Sequence, residues 1–143
     1  MDYTVIRSHE FCCGHTVTGH ESKCAHLHGH NYTVEFYVAP HPAEKEKLDD
    51  VGRVVDFSEV KKILCEWVET NWDHRFLVHE EDPRARHLKT LDPQGVLLCP
   101  FNPTAEVMAA QLLKMGRAQL PESLVLWKVV LHETGKCRVE VEL

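Results

Sequence analysis

The chain has 143 residues, 43% of them hydrophobic, which is enough for one domain (residues 1–143) with a buried core. Its net charge of −6 argues against general nucleic-acid binding, which needs a basic face. The sequence has no apolar run of 18 residues, and its N-terminus lacks the features of a signal peptide. We therefore expect a cytoplasmic protein with no membrane partner.

Two strands are predicted at the N-terminal end, over residues 2–13 and 28–39, with a polar loop between them. The second strand is indicated by the alternation of apolar and polar side chains from Tyr32 to Val38. The Pro-His-Pro sequence that follows ends it, because proline cannot continue a strand ladder.

Three histidines in this region predict a metal site. His28 and His30 share one face of the second strand, and an antiparallel hairpin would bring His15 beside them. Three imidazoles without a fourth protein ligand are typical of a zinc site with an open, catalytic position. The alternative is chance clustering of surface residues, since the chain contains 11 histidines.

The six cysteines lack the spacing of a disulfide scaffold. Cys12, Cys13 and Cys65 fall within strand or helix patterns, so we expect them to be buried. Cys24 differs because it lies in a polar loop beside Lys23 and the predicted metal site. These neighbours favour the thiolate form.

A charged linker, residues 43–52, precedes a predicted helix of about four turns that has Asp56 as its N-cap. Its apolar residues recur at helical spacing from Phe57 to Val68, so this stripe is expected to face a sheet. Residues 79–101 contain three prolines and predict an irregular surface segment.

A second helix is predicted with Asn102 as N-cap and Pro103 at its first position, continuing to about Leu120. Two alternating strands follow, over residues 123–133 and 139–143. The order strand, strand, helix, helix, strand, strand predicts an α+β fold. We expect an antiparallel sheet with two helices packed on one face.

Three further features suggest chemistry, and each has an ordinary alternative. Asp73-His74, in a predicted turn at residues 73–77, fits an oriented acid–base pair or a solvated helix end. Glu133 ends the apolar strand face that includes Trp127, so its carboxylate either binds a flat ligand or is exposed where the strand frays. The N–H groups and Thr104 hydroxyl at the second helix start either bind a ligand or simply cap the helix.

These residues together resemble the 6-pyruvoyltetrahydropterin synthase superfamily over nearly the whole chain. The cysteine-to-histidine spacing is similar to that of bacterial 6-carboxytetrahydropterin synthases of the queuosine pathway, because the animal pyruvoyl-forming enzymes have a longer gap. The matching motifs are Phe11-x-x-x-His15, Cys24-Ala25-His26-Leu27-His28-Gly29-His30, Val55-Asp56-Phe57, Asp73-His74, Pro103-Thr104-x-Glu106 and Glu133-Thr134.

The resemblance implies a tunnelling fold (T-fold) assembled into an oligomeric barrel, usually a homohexamer with active sites at subunit interfaces. It implies Zn²⁺ on the three histidines His15, His28 and His30. It also implies a catalytic group of Cys24, Asp73 and His74, with the last two from the same or a neighbouring subunit. The residues implied in pterin binding are Glu133, Thr104 and Glu106.

The activity implied is that of a zinc-dependent lyase. It would convert 7,8-dihydroneopterin triphosphate to 6-carboxy-5,6,7,8-tetrahydropterin, acetaldehyde and triphosphate. Triphosphate elimination to 6-pyruvoyltetrahydropterin is the alternative reaction. Two rivals of other classes stay open, a non-catalytic zinc or pterin-binding protein and a zinc hydrolase that does not need Cys24.

Overall fold

The computed structural model describes residues 2–44 and 47–143, so part of the predicted linker 43–52, Lys45 and Glu46, lies outside the described residues. The strands are β1 (Val5–His15), β2 (His28–Pro40), β3 (Arg75–His79), β4 (Val96–Cys99), β5 (Leu124–His132) and β6 (Arg138–Glu142). The helices are α1 (residues 57–71), α2 (Ala85–Leu91) and α3 (Ala105–Gln119), with 3-10 turns at Lys23–Ala25 and Pro42–Glu44.

The six strands form one sheet in the order β4-β3-β1-β2-β5-β6. β1 and β2 pair antiparallel from Val5 opposite Val38 to His15 opposite His28, and β5 and β6 continue the antiparallel pattern. These pairings confirm the predicted hairpins and the α+β class. β3 and β4 join β1 in parallel, so the sheet is mixed rather than wholly antiparallel as predicted.

The segment from β3 to β4 was predicted wrongly, as a turn followed by an irregular stretch. It contains two strands and the helix α2. Leu77 of β3 packs in the main core, whereas its neighbours Phe76 and Val78 pack with residues of α2 on the opposite face. Because both faces of this parallel strand are covered, its sequence has no polar alternation by which it could be recognised.

The main core lies between one face of the sheet and the helices α1 and α3. Each side chain fully removed from water here contributes roughly 1.5–3 kcal/mol through the hydrophobic effect. The largest fully buried apolar residues are Tyr32, Phe36, Leu64, Leu77, Met108, Leu112, Leu126 and Leu131. Within the described ranges, no helix has both the length and the apolar character that crossing a bilayer requires.

Helix α1 begins as predicted, with the Asp56 carboxylate accepting a hydrogen bond from the Ser58 N–H at 2.9 Å. Its middle turn, Lys61–Cys65, is π-helical. Phe57 was expected in the buried stripe but is 65% exposed, because the first helical residue precedes the part of α1 that packs on the sheet. Trp67 does pack against the core.

Two further predictions fail because of strand geometry. Cys12 is exposed whereas Cys13 and Cys65 are buried, since successive residues of β1 point to opposite faces. A bulge in the β2–β5 pairing skips Trp127, which packs its ring on Tyr37 instead of lying in line with Glu133.

An ion pair with a buried carboxylate fixes the start of α2. The Asp82 side chain is only 1% exposed and accepts hydrogen bonds from Arg84 at 3.0 Å to each of its two oxygens. These bonds, opposed by burial, hold the pKa of Asp82 well below its ordinary value. A carboxyl group with a lowered folded-state pKa stabilises the protein above its unfolded pKa, and this stabilisation is lost as the pH falls.

We therefore expect Asp82→Asn to destabilise the metal-free protein at pH 7 by about 2 kcal/mol. This is less than the cost of breaking a fully buried ion pair, because Arg84 is 43% exposed. The difference from wild type should narrow as the pH falls below about 4, because the stabilisation is lost between the unfolded-state pKa of an aspartate and the lower folded-state pKa of Asp82. Urea unfolding followed by circular dichroism at both pH values checks this. Asp49→Asn, which breaks an exposed pair with Arg53, is the matched control and should cause no measurable loss. A difference that did not change with pH would point to packing rather than charge.

Candidate active site

Three imidazoles lie at one end of the buried face of the β1–β2 hairpin. His15 is directly opposite His28, and His30 follows two residues later on the same face. Their ring centroids are 4.6 to 5.2 Å apart, and one potential ligand atom of each lies within 4.8 Å of those of the other two. The predicted hairpin geometry is therefore confirmed, and the cluster could hold one metal ion.

Main-chain carbonyls orient two of the rings. Nδ1 of His15 lies 2.6 Å from the Pro103 carbonyl oxygen, and Nδ1 of His28 lies 2.7 Å from that of His26. A carbonyl oxygen can only accept, so each Nδ1 carries the proton and each Nε2 is left with a free lone pair. A hydrogen bond from the ring nitrogen that does not bind the metal is the usual way in which a protein orients a histidine ligand.

The donor set fits a divalent cation. Nε2 of His15 and Nε2 of His30 are buried and have no hydrogen-bond partner in the described part of the chain. Burial lowers the pKa of both rings, which favours the neutral form that binds metal. Buried polar atoms without partners are rare, and a metal ion would satisfy both.

Glycines allow the close packing behind this cluster. A Cβ atom on Gly29 would lie 3.0 Å from the carbonyl oxygen of Cys13, and one on Gly14 would meet the ring of Phe76. Gly29 therefore lets β2 approach β1 closely, and Gly14 leaves room for Phe76 of β3, both on the face turned away from the histidines.

Cys24 lies half-buried in the 3-10 turn before β2, and its carbonyl accepts a hydrogen bond from Val17 N–H at 2.9 Å. Burial, followed by the charges of Glu133, Cys13 and Cys24, raises the pKa of Tyr32. The Tyr32 hydroxyl is itself 3.4 Å from Nδ1 of His15. Cys24 and Glu133 are therefore both within electrostatic range of Tyr32, which borders the histidine cluster.

Glu133 directly follows β5, and its Oε1 lies 3.6 Å from Nε2 of His30. Its side chain is only 26% exposed. The alternative in which the strand frays and leaves Glu133 exposed therefore does not hold. Leu131, two residues earlier, is fully buried. The carboxylate therefore extends the core face into the open end of the site.

The start of α3 differs from the prediction by two residues. Thr104, not Asn102, is the N-cap, and its hydroxyl accepts a hydrogen bond from Val107 N–H at 3.2 Å. Asn102 instead binds the β1–β2 loop through Thr18. Glu106 is exposed in the first turn of the helix.

Asp73 and His74 lie elsewhere in the chain. Asp73 accepts the Cys12 N–H at 2.9 Å and contacts Nδ1 of His74 at 2.7 Å, and these bonds, against burial, hold the pKa of Asp73 below its ordinary value. His74 has φ of 60° and a 78% exposed ring. Across the described ranges, no hydrogen bond or ion pair joins either residue to Cys24 or the three histidines.

An open cavity of about 490 Å³ lies beside His74. Cys12, Gly29, Asn31 and Phe76 are among its lining residues. Cys12 points away from the histidine face because it alternates with Cys13 along β1. The exposed imidazole of His74 therefore borders the same cavity as the outward-facing Cys12.

Two groups of the site were missed from the sequence. Tyr32, two residues beyond His30 on the same strand face, could have been found from the alternation alone. The carbonyl of Pro103 could not, because only the tertiary structure brings the start of α3 to His15.

The fold and the site together define a class of protein. It is an α+β protein whose mixed sheet carries a three-histidine cluster that could hold a metal ion, with the Glu133 carboxylate beside it and a half-buried thiol in the adjoining loop.

The family model described as 6-pyruvoyl tetrahydropterin synthase matches residues 4–143, and the chain belongs to this family. It is 36% identical over 135 residues to the 6-carboxy-5,6,7,8-tetrahydropterin synthase of Rickettsia bellii, covering 92% of this chain and 94% of that protein. It is 33% identical to a probable 6-carboxy-5,6,7,8-tetrahydropterin synthase of Halobacterium salinarum, covering 85% and 74% of the two chains.

Solved structures confirm the predicted T-fold. An uncharacterized protein from Wolinella succinogenes superposes with a TM-score of 0.80 at 23% identity, covering 98% of this chain and 97% of that one. The 6-pyruvoyl tetrahydropterin synthase of Caenorhabditis elegans gives a TM-score of 0.65 at 21% identity, with coverages of 99% and 95%.

Proposed function

We propose that this chain is a zinc-dependent lyase of queuosine biosynthesis. It would convert 7,8-dihydroneopterin triphosphate and water to 6-carboxy-5,6,7,8-tetrahydropterin, acetaldehyde and triphosphate. The observation that carries the proposal is the convergence of the three imidazoles His15, His28 and His30, with Glu133 3.6 Å from His30 and Cys24 in the turn that leads into the same strand. The names of the relatives from Rickettsia and Halobacterium support the same reaction.

Each residue has a physical role in the proposed chemistry. When bound by the three imidazoles, zinc supplies a Lewis acid for the hydroxyl groups of the substrate side chain. Cys24 removes a proton from the substrate side chain, and His74 transfers a second proton while Asp73 orients its ring. Asp73 already holds Nδ1 of His74 at 2.7 Å, which leaves Nε2 for the substrate.

Glu133 is the proposed anchor for the pterin ring. The 2-amino-pyrimidine edge presents two adjacent N–H donors, which a carboxylate binds through charge-assisted hydrogen bonds. Its position 3.6 Å from His30 would place the reacting side chain of the substrate over the metal site. Thr104 and Glu106, at the start of α3, are proposed to line the same pocket.

We expect Glu133→Gln to raise KM about 10- to 100-fold, because the substrate loses one charged hydrogen-bond acceptor. The change in kcat should be smaller. Steady-state kinetics with the pterin substrate checks this prediction. Glu142→Gln, which removes an exposed carboxylate from β6, is the control and should leave both constants unchanged. A KM equal to that of wild type in Glu133→Gln would remove this residue from the binding site.

A homo-oligomer is part of the proposal, because no hydrogen bond or ion pair joins His74 to Cys24 within the described residues of one chain. We propose that the active site forms at a subunit interface, where His74 of one subunit meets Cys24 of the next. Its exposed ring and the open cavity beside it support this assembly. A hexamer is the proposed size.

Complementation tests the shared site. Cys24→Ala and His74→Ala proteins should each be inactive alone, whereas co-expressed mixed oligomers should recover activity. Recovery is expected because some interfaces then combine an intact Cys24 with an intact His74. If both residues acted within one chain, every site in the mixture would keep one defect and no activity would return.

The test of the function is to incubate the zinc-loaded protein with 7,8-dihydroneopterin triphosphate and identify the products by mass spectrometry. The carboxylated pterin together with acetaldehyde is the expected result. The 6-pyruvoyl product without acetaldehyde would establish the alternative reaction. Tight substrate binding without any product would favour a non-catalytic pterin-binding protein.

A further inference from the structure

A hydrogen-bonded ion pair outside the proposed chemistry holds the loop that carries Cys24. Asp82 and Arg84 lie between β3 and α2. The Asp82 side chain is 1% exposed, so burying its charge is unfavourable unless it is closely paired. The groups that this pair binds indicate its role.

Arg84 uses three nitrogens at once. Its Nε and Nη2 donate to the two carboxylate oxygens of Asp82, both at 3.0 Å. Its Nη1 donates to the carbonyl of Ala25 at 2.8 Å, and its Nη2 also donates to the Thr16 hydroxyl at 2.9 Å. The Thr16 hydroxyl in turn donates to the Ala25 carbonyl at 2.8 Å. One guanidinium therefore ties the start of the loop to its end.

Asp82 extends the same network toward the histidines. Its Oδ2 accepts the Thr18 hydroxyl at 2.8 Å, and the main chain of Thr18 exchanges two hydrogen bonds with the Asn102 amide. Asn102 directly precedes Pro103, whose carbonyl accepts the Nδ1 proton of His15. The loop and the histidine cluster therefore share one continuous set of contacts.

Cys24 lies within this closed loop. It directly precedes Ala25, and its carbonyl accepts the Val17 N–H at 2.9 Å. No side-chain hydrogen bond of Cys24 is present in the described ranges, so the position of its sulfur depends on the main chain around it. Proton transfer is steeply sensitive to geometry, and a displacement of about 1 Å can cost on the order of 100-fold in rate.

We infer that Asp82 and Arg84 are positioning residues that hold the 16–25 loop so that the Cys24 thiol faces the substrate beside the three histidines. The inference rests on the proposed function for the role of Cys24 in turnover, although the contacts of the loop are independent of it. The guanidinium is essential in this role, because a lysine ammonium cannot span the two Asp82 oxygens and both ends of the loop.

The test compares Arg84→Lys with Arg86→Lys, which changes an exposed arginine of α2 that makes no side-chain hydrogen bond within the described residues. At a temperature well below unfolding, we expect Arg84→Lys to lower kcat about 10- to 100-fold, with KM and zinc content close to wild type. Arg86→Lys should change none of these. An unchanged kcat per folded subunit in Arg84→Lys, even with a lower Tm, would reduce the pair to a structural role and overturn the inference.

A second measurement separates this inference from the proposed function. Iodoacetamide labelling followed by peptide mass spectrometry gives the alkylation rate of Cys24 relative to the exposed Cys137. In Arg84→Lys the Cys24 rate should rise at least several-fold, and the amides of the 16–25 loop should exchange hydrogen faster, while Cys137 and Arg86→Lys stay at the wild-type values. Labelling and exchange that did not change would overturn the inference whatever the wild type catalyses. If wild type made no pterin product but the loop responded as expected, the proposed function would fail and the loop contacts would stand.

Discussion

Replacing His28 with alanine is expected to remove zinc binding and turnover together. His28 would supply one of three neutral nitrogens, and its ring is only partly buried, so its loss should leave the fold intact. Changes to residues that merely support a ligand typically weaken metal binding 10- to 100-fold, so we expect the loss of a ligand to weaken it by more than about 100-fold. Zinc content after dialysis and competition with a chelator measure this loss.

His87→Ala is the matched control, because His87 is exposed on α2 and should retain full zinc content and activity. A thermal readout is independent of turnover. Removing zinc from wild type should lower Tm, and adding zinc should restore it, since a ligand bound only to the folded state stabilises that state. His28→Ala should show neither change. A His28→Ala protein with a full complement of zinc would place the ion elsewhere in the chain.

Replacing Cys24 with alanine is expected to abolish turnover without removing the metal. If the thiol transfers protons during the reaction, its loss should lower kcat by about 10²- to 10⁴-fold, the usual contribution of a general acid–base group. Zinc content should stay at the wild-type level because the three imidazoles are intact. Product formation and metal analysis on the same preparation give both numbers.

Cys137→Ala serves as the control for the loss of a thiol, because Cys137 is exposed and only its main chain is used in hydrogen bonding. It should keep the wild-type kcat. Turnover that survived in Cys24→Ala would contradict the proposed mechanism and favour a zinc hydrolase acting on a different substrate. Loss of both zinc and turnover would instead make Cys24 part of the metal site.

The histidine cluster was accessible from the sequence because strand geometry is local. Alternation along β2 places His28 and His30 on one face, and a simple hairpin brings His15 opposite. Glu133 was recognised by the same alternation, although the bulge at Trp127 changes which residues share its face. Where one rule of local geometry decides a position, the sequence was sufficient.

Contacts between distant segments were not accessible in this way. Nothing in the spacing of Asp82 and Arg84 indicates that Arg84 binds Ala25, 59 residues earlier, and Asn102 matched the pattern of a helix cap. The parallel strands β3 and β4 were missed because short strands covered on both faces lack alternation.

The sequence by itself therefore determined the α+β class, the antiparallel hairpins and the grouping of three imidazoles on one strand face. The tertiary structure decided the mixed sheet, the network that holds the Cys24 loop, and the contact of Asp73 with the main chain of Cys12. The physical reason is the distance along the chain over which each kind of rule acts. Side-chain direction repeats every two residues in a strand, whereas a hydrogen bond between distant segments depends on the packing of every element between them.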